Sequence, residues 1–147
     1  MTPQQIKLVQ MSFAKVAPIA DKAADLFYSR LFEIAPEVRP MFPDDLSEQK
    51  KKLVSMLGTV VSGLSRLEMM IPAIQMLGRR HADYGVSAAH YAPVGAALIW
   101  TLQQGLGPDF TDKVRDAWVA AFTTLATTMI TAAGDAPFEQ SHSMVAA

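Results

Sequence analysis

Apolar residues recur along this chain at three- and four-residue steps almost from end to end, and no segment alternates like a strand for long. That period permits helices and argues against a sheet of any size. Proline, glycine and capping residues divide the pattern. Thr2-Pro3-Gln4-Gln5 opens a first helix, with Thr2 as cap, Pro3 in the first turn and Gln5 completing a capping box. A second helix is expected from about Pro18 to Ala35, followed by a short turn that ends near Met41-Phe42-Pro43. Asp45 or Ser47 caps a third, which carries Leu53, Leu57, Val60, Val61 and Leu64 on one side. Pro72 reads as the first turn of a fourth helix that Gly85 stops. A fifth covers about Ala88 to Gln104 and breaks at Gly105-Leu106-Gly107-Pro108. The last runs from Thr111 to about Ala133, with Gly134 past its end. Residues 1–134 are expected to form one domain, and the small, polar, aperiodic segment 135–147 a tail that frays.

A chain of 147 residues suits a single all-α domain of six or seven helices. The net charge of −1 offers no field for nucleic acid or anionic lipid, so neither is expected as a partner. Cysteine is absent, which excludes disulfides, iron–sulfur clusters, thiolate zinc sites and cysteine nucleophiles. It also suits a reducing cytosol, and the polar start lacks the basic and apolar regions of a signal peptide, so a cytoplasmic location is the expectation. The uncharged stretch from Ala117 to Ala133 holds Thr123, Thr124, Thr127, Thr128 and Thr131 and is short for a membrane span, so it reads as a buried helix. Periodicity alone does not choose between an ordinary bundle and helices crossed steeply around a pocket.

Catalytic constellations are scarce. No phosphate loop follows a strand, no Ser-His-Asp arrangement suggests itself, and His81, His90 and His142 lack zinc spacing, so no catalytic residue is nominated. One kind of metal site needs only a single histidine. Haem brings four nitrogens of its own, and the protein supplies one axial imidazole and an apolar slot. His81 is the candidate, near the end of a helix, with Leu77 one turn earlier on the same face. Its alternative is a satisfied surface or core histidine.

Leu77-Gly78-Arg79-Arg80-His81 followed by Tyr84-Gly85-Val86 resembles the proximal-histidine motif of globins, most closely that of single-domain bacterial globins and of the haem domain of flavohaemoglobins. The likeness extends from about residue 4 to 133. Pro36-Glu37-Val38-Arg39-Pro40-Met41-Phe42 matches the corner after the family's second helix, and Phe42 the phenylalanine that stacks on haem. The resemblance implies a globin fold of about six to eight helices around a pocket for haem b, with His81 on the iron. It places Tyr28 and Gln49 on the gas-binding face, with Leu53, one turn beyond Gln49, as its roof. A phenol and an amide both donate to the partial negative charge of a bound diatomic, which implies slow O2 release. Leu77, Tyr84, Val86 and Ile99 are expected around the ring. Tyr91 resembles the tyrosine near the proximal histidine of flavohaemoglobins, and His90 is read as structural or exposed. Lys52 and Arg80 are candidates for the propionates, though Lys52 reads equally well as part of the solvated run Lys50–Lys52.

The family pattern fails in one place. Flavohaemoglobins set a glutamate beside the proximal histidine, and here that position falls at or next to Ala133, with no acid between Asp116 and Asp135. The push that favours activation of bound oxygen is therefore expected to be weak. No flavin or nicotinamide domain follows within this chain, so any electrons are expected from a separate reductase. The expected function is reversible binding of O2, with NO and CO as further ligands, in oxygen storage, transport or sensing; the alternative is an NO dioxygenase working with that reductase. A haem-free helical interaction domain is a third reading, against which His81, Phe42 and Tyr28 argue together. The oligomeric state is left as monomer or homodimer.

Overall fold

The computed structural model describes residues 1–134; the expected tail 135–147, and His142 within it, lie outside the described residues. Among the described residues there are six α-helices, short 3-10 turns between them, and no strand: α1 (Pro3–Val16), α2 (Ala20–Ile34), α3 (Ser47–Gly63), α4 (Leu67–Asp83), α5 (Tyr91–Leu106) and α6 (Asp112–Gly134).

Local chemistry accounts for most helix ends. The Gln5 amide donates to Thr2 Oγ1 at 3.1 Å and the Thr2 amide to Gln5 Oε1 at 3.0 Å, which is the expected capping box. Ahead of α3 the capping acceptor is Asp45, whose Oδ1 takes the Ser47 amide at 2.9 Å and hydroxyl at 2.7 Å. These donors hold the Asp45 carboxyl below its usual range. Gly85 adopts φ +92° and closes α4: its amide donates to the Ala82 carbonyl at 2.9 Å, and the Val86 amide to the His81 carbonyl at 3.0 Å. This is a Schellman motif, whose left-handed residue favours glycine.

Two boundaries differ from the sequence reading. α4 begins at Leu67, so Pro72 lies inside the helix. The Glu68 carbonyl that a proline nitrogen cannot serve is on an exposed residue, where water can satisfy it. α5 runs through Gly105 and stops at Gly107, φ +55°. A helical glycine costs only about 1 kcal/mol, and a Cβ at Gly105 would meet Val16 and Ile19 at ordinary contact distances.

α4 packs chiefly on α6, α2 on α5, and α1 on α6, while α3 lies across α2 and α1. The core includes Val9, Val16, Phe27, Leu31, Val61, Leu102 and Trp118. Trp118 Nε1 donates to Ser12 Oγ at 2.8 Å, and Ser12 donates on to the Leu8 carbonyl at 2.7 Å, so the buried indole is satisfied. By length and composition both Ser47–Asp83 and Asp112–Gly134 are apolar enough to cross a membrane; α6 packs against α1, α4 and α5. Its hydroxyls are partly absorbed by the helix itself, Thr124 donating to the Ala120 carbonyl at 2.9 Å and Thr128 to that of Thr124 at 2.8 Å.

The tightest approach is between α4 and α6. A Cβ on Gly78 would lie 2.5 Å from the Met129 carbonyl oxygen and 2.6 Å from its Cα, atoms that cannot yield without moving a helix. At Gly58 the nearest atom to a Cβ would be Phe13 Cε2, at an ordinary 3.9 Å. Gly78→Ala should therefore lower stability by about 1–3 kcal/mol in urea unfolding, and Gly58→Ala should leave it unchanged or raise it. Equal effects at the two positions would remove the steric explanation.

Candidate functional site

One wall of the site is built by α2, the turn after it, and the start of α3. Apolar spacing along α2 buries Phe27, Tyr28 and Leu31. Tyr28 is 4% exposed and stands edge-on to Phe27 at 5.0 Å and to Phe42 at 5.7 Å between ring centroids. Phe32 completes the cluster, 6.0 Å from Tyr28 and 5.6 Å from Phe42. Phe42 is held by Arg39, whose Nη1 donates to the Phe42 and Pro43 carbonyls at 3.3 and 3.0 Å and whose Nη2 donates to that of Asp44 at 3.2 Å. The same guanidinium lies 5.0 Å over the Phe32 ring. One arginine thus ties the loop to the aromatic cluster, a role the sequence reading missed because it rests on backbone acceptors.

Gln49 reaches Tyr28 from the first turn of α3. Lys50, next to it, pairs with Asp25 of α2 at 2.8 Å and fastens the two helices there. Burial raises the Tyr28 phenol above its ordinary range, and the nearby Gln49 side chain offsets this in part. The phenol is therefore a neutral donor at neutral pH. Leu53 borders an apolar cavity of about 40 Å³ shared with Phe27, Leu57, Leu98 and Leu102. Thr101, its one hydroxyl, donates to the Ala97 carbonyl at 2.8 Å.

His81 stands on α4. Its Nδ1 lies 2.8 Å from the Leu77 carbonyl oxygen. A carbonyl only accepts, so Nδ1 carries a proton, and in the neutral ring Nε2 keeps its lone pair, the form a metal requires. The ring is held through Nδ1, and the backbone carbonyl of His81 by the Gly85 turn. α3 and α4 scarcely touch, meeting where Gly63 lies against Met70, so the Tyr28–Gln49 wall and His81 stand on helices that are packed separately. No hydrogen bond or aromatic pair joins His81 to that wall among the described residues.

The remaining candidates divide. Phe42, Leu53, Leu77 and Val86 are half-buried and keep apolar surface available. Tyr91 is half-buried too, and burial pushes its phenol up to about 12. His90 Nδ1 accepts the Ser87 amide at 2.9 Å, so that ring caps a turn. Lys52 and Arg80 are exposed, and Tyr84 is 71% exposed at the end of α4. Ile99 lines a groove of about 480 Å³ between α5 and α6 with Trp100 and Phe122, while its neighbour Leu98 is the residue beside Leu53. One position along a helix turns a side chain by about 100°, enough to exchange one face of α5 for another.

The family model for globins matches residues 25–129. A flavohaemoprotein of Bordetella parapertussis is 26% identical over 133 residues, which is 88% of this chain and 33% of the relative, so the chain spans about a third of that protein. Among solved structures, an engineered carbene transferase from Rhodothermus marinus, provisionally assigned as a nitric oxide dioxygenase, superposes with a TM-score of 0.81 at 28% identity, over 91% of this chain and 94% of that one. A bacterial globin from Campylobacter jejuni gives a TM-score of 0.75 at 27% identity, over 90% and 96%. With its helices in this order and the match covering most of its length, the chain belongs to the globin family.

Proposed function

We propose that this chain holds haem b through Nε2 of His81 and binds O2 reversibly on the side of Tyr28, Gln49 and Leu53, for storage, transport or sensing. The observation that carries the reading is the 2.8 Å contact of His81 Nδ1 with the Leu77 carbonyl, which fixes the tautomer that leaves Nε2 free to ligate. The residues fit the group. Phe42, Leu53, Leu77 and Val86 offer partly exposed apolar surface to a flat ring. A chain without cysteine has neither the thioether links of a c-type haem nor a thiolate ligand, which favours haem b. Globins and flavohaemoproteins are haem proteins, and membership of that family supports the cofactor. When bound, haem supplies an iron atom with one position for a diatomic gas. This chain's residues do the rest: His81 holds the iron, Phe42 and Leu53 exclude water, and the Tyr28 phenol and Gln49 amide donate hydrogen bonds to the gas. NO and CO would use the same face.

A second reading is an NO dioxygenase served by a separate reductase. The likeness to the Bordetella flavohaemoprotein and the Rhodothermus protein favours it. Against it stands the partner of His81, a neutral carbonyl rather than a carboxylate, which orients the ring without adding negative charge to it.

The test is an absorption spectrum of the purified chain reconstituted with haem, reduced with dithionite and exposed to air, then to NO with and without a reductase. A Soret band that shifts reversibly with O2 is expected, and its complete absence ends the proposal. His81→Ala should lose haem retention. Tyr28→Phe and Gln49→Ala should keep haem and release O2 about tenfold faster, the effect of losing about 1–1.5 kcal/mol of hydrogen bonding. Unchanged release in both would remove the donor role.

Proton linkage gives a further prediction. Ionisation of Tyr28 abolishes its donor, and burial holds the phenol above the ordinary 10.0. Release measured by stopped flow should therefore stay flat up to pH 10.0 and quicken only above it, with no such rise in Tyr28→Phe. Quickening in the wild type between pH 7 and 9 would contradict this ionisation order.

A further inference from the structure

Arg39 engages Phe42 from both directions. Its own carbonyl accepts the Phe42 amide at 3.1 Å, and its guanidinium donates to the Phe42 carbonyl at 3.3 Å, so Phe42 is held at both of its peptide groups. The same fork takes the carbonyls of Pro43 and Asp44, which gathers three successive residues on one cation. Arg39 is half-buried and makes no ion pair among the described residues, although Asp44 carries a carboxylate beside the carbonyl it donates to. Its charge is directed at the backbone and at the face of Phe32. Two routes lead from this fork to the Tyr28–Gln49 wall. Through aromatic contact, Phe32 lies beneath the guanidinium and Phe42 carries a held carbonyl, and both rings stand beside Tyr28. Through the chain, Asp44 precedes Asp45, whose carboxylate takes the Ser47 amide and starts α3 two residues before Gln49.

We propose that Arg39 is a positioning residue that sets Tyr28 and Gln49 relative to one another, and that the rate of gas release depends on it. That the pair faces a bound gas rests on the function proposed above; that Arg39 orders the pair does not. A hydrogen bond weakens steeply as donor and acceptor lose alignment. Tyr28 belongs to α2 and Gln49 to α3, so two donors aimed at one small ligand stay aligned only as well as the join between those helices. Pro43, Asp44 and Asp45 in that join are exposed, and apolar packing does little to hold them. Three charge-assisted bonds from one planar fork supply the restraint instead. Lysine cannot replace the fork, because a single ammonium on a flexible stem does not reach three carbonyls while lying over a ring. Arg39 acts through the two donors and not on the gas itself.

Two measurements on the full chain test this, with far-UV circular dichroism showing that each variant keeps its helices. The first needs no cofactor. It titrates the Tyr28 phenol by NMR of isotope-labelled tyrosine, assigned with Tyr28→Phe. Burial places the wild-type phenol above the ordinary 10.0, and Arg39→Ala should bring it down toward that value as water reaches the loosened ring. Loss of a cation alone acts the other way, since it removes support for a phenolate, so a fall reports the access of water. Arg39→Lys keeps the charge and should show the same fall. An unchanged or raised titration in Arg39→Ala overturns the proposal, and so does full rescue by lysine. The second measurement is O2 release by stopped flow. Arg39→Ala should quicken it about threefold to tenfold, no more than the loss of one donor does. In the Tyr28→Phe/Gln49→Ala background the same substitution should add nothing, because a residue that acts through those donors has nothing left to act on. Faster release in both backgrounds would mark a general loosening and overturn the proposal. If the chain takes up no haem, the gas-binding reading fails and the dependence of release falls with it, while the titration still decides whether Arg39 orders the pair.

Discussion

Much of the chain's arrangement depends on one backbone contact, that of α4 with α6 at Gly78 and Met129. Helices normally keep their axes apart by the thickness of their side chains, and here one residue without a side chain lets the main chains touch. The contact fixes the position of α4 three residues before His81. Four residues after His81, the left-handed turn at Gly85 closes the same helix and takes up the His81 carbonyl. The candidate ligand is thus bracketed by two glycines that serve different ends, close approach at one and positive φ at the other. The hydrogen bond to Leu77 then sets only the rotation of the ring, on a backbone already held.

The Tyr28–Gln49 cluster is secured by other means. Tyr28 is kept in place by edge-on aromatic contacts with Phe27 and Phe42, and the loop that carries Phe42 is gathered by Arg39. Gln49 comes within reach of the phenol because Asp45 starts α3 where it does and Lys50 pins that start to Asp25. Since α3 and α4 scarcely touch, neither wall sets the other directly. The spacing between them is an outcome of α1, α2, α5 and α6 packing together. Core substitutions far from the site should therefore alter the gap before they alter either wall.

This separation explains what could be read from the sequence. The helices, the capping box at Thr2 and the stop at Gly85 are local, since each depends on residues within one or two turns. His81 and Phe42 were nominated as candidates through their surroundings in the chain. Pro72 misled because proline in a first turn and proline tolerated on a solvent-facing side leave the same letter, and only the packing of α4 distinguishes them. Gly105 misled for a related reason: a propensity cost of about 1 kcal/mol does not by itself end a helix. Arg39 was invisible because its partners are carbonyls, which every residue possesses.

The missing acid near the end of α6 acquires a structural meaning beside the Leu77 contact. When a distant carboxylate orients a histidine, the tautomer and the charge on the ring depend on tertiary packing and on whatever protonates that acid. At His81 the acceptor belongs to the same helix, one turn earlier, and is present whenever the helix is. The tautomer becomes a property of secondary structure. A backbone carbonyl also carries only partial charge, so the imidazole stays closer to an ordinary neutral donor. Under the proposed function, both consequences favour holding a neutral ligand reversibly over driving electron density into it.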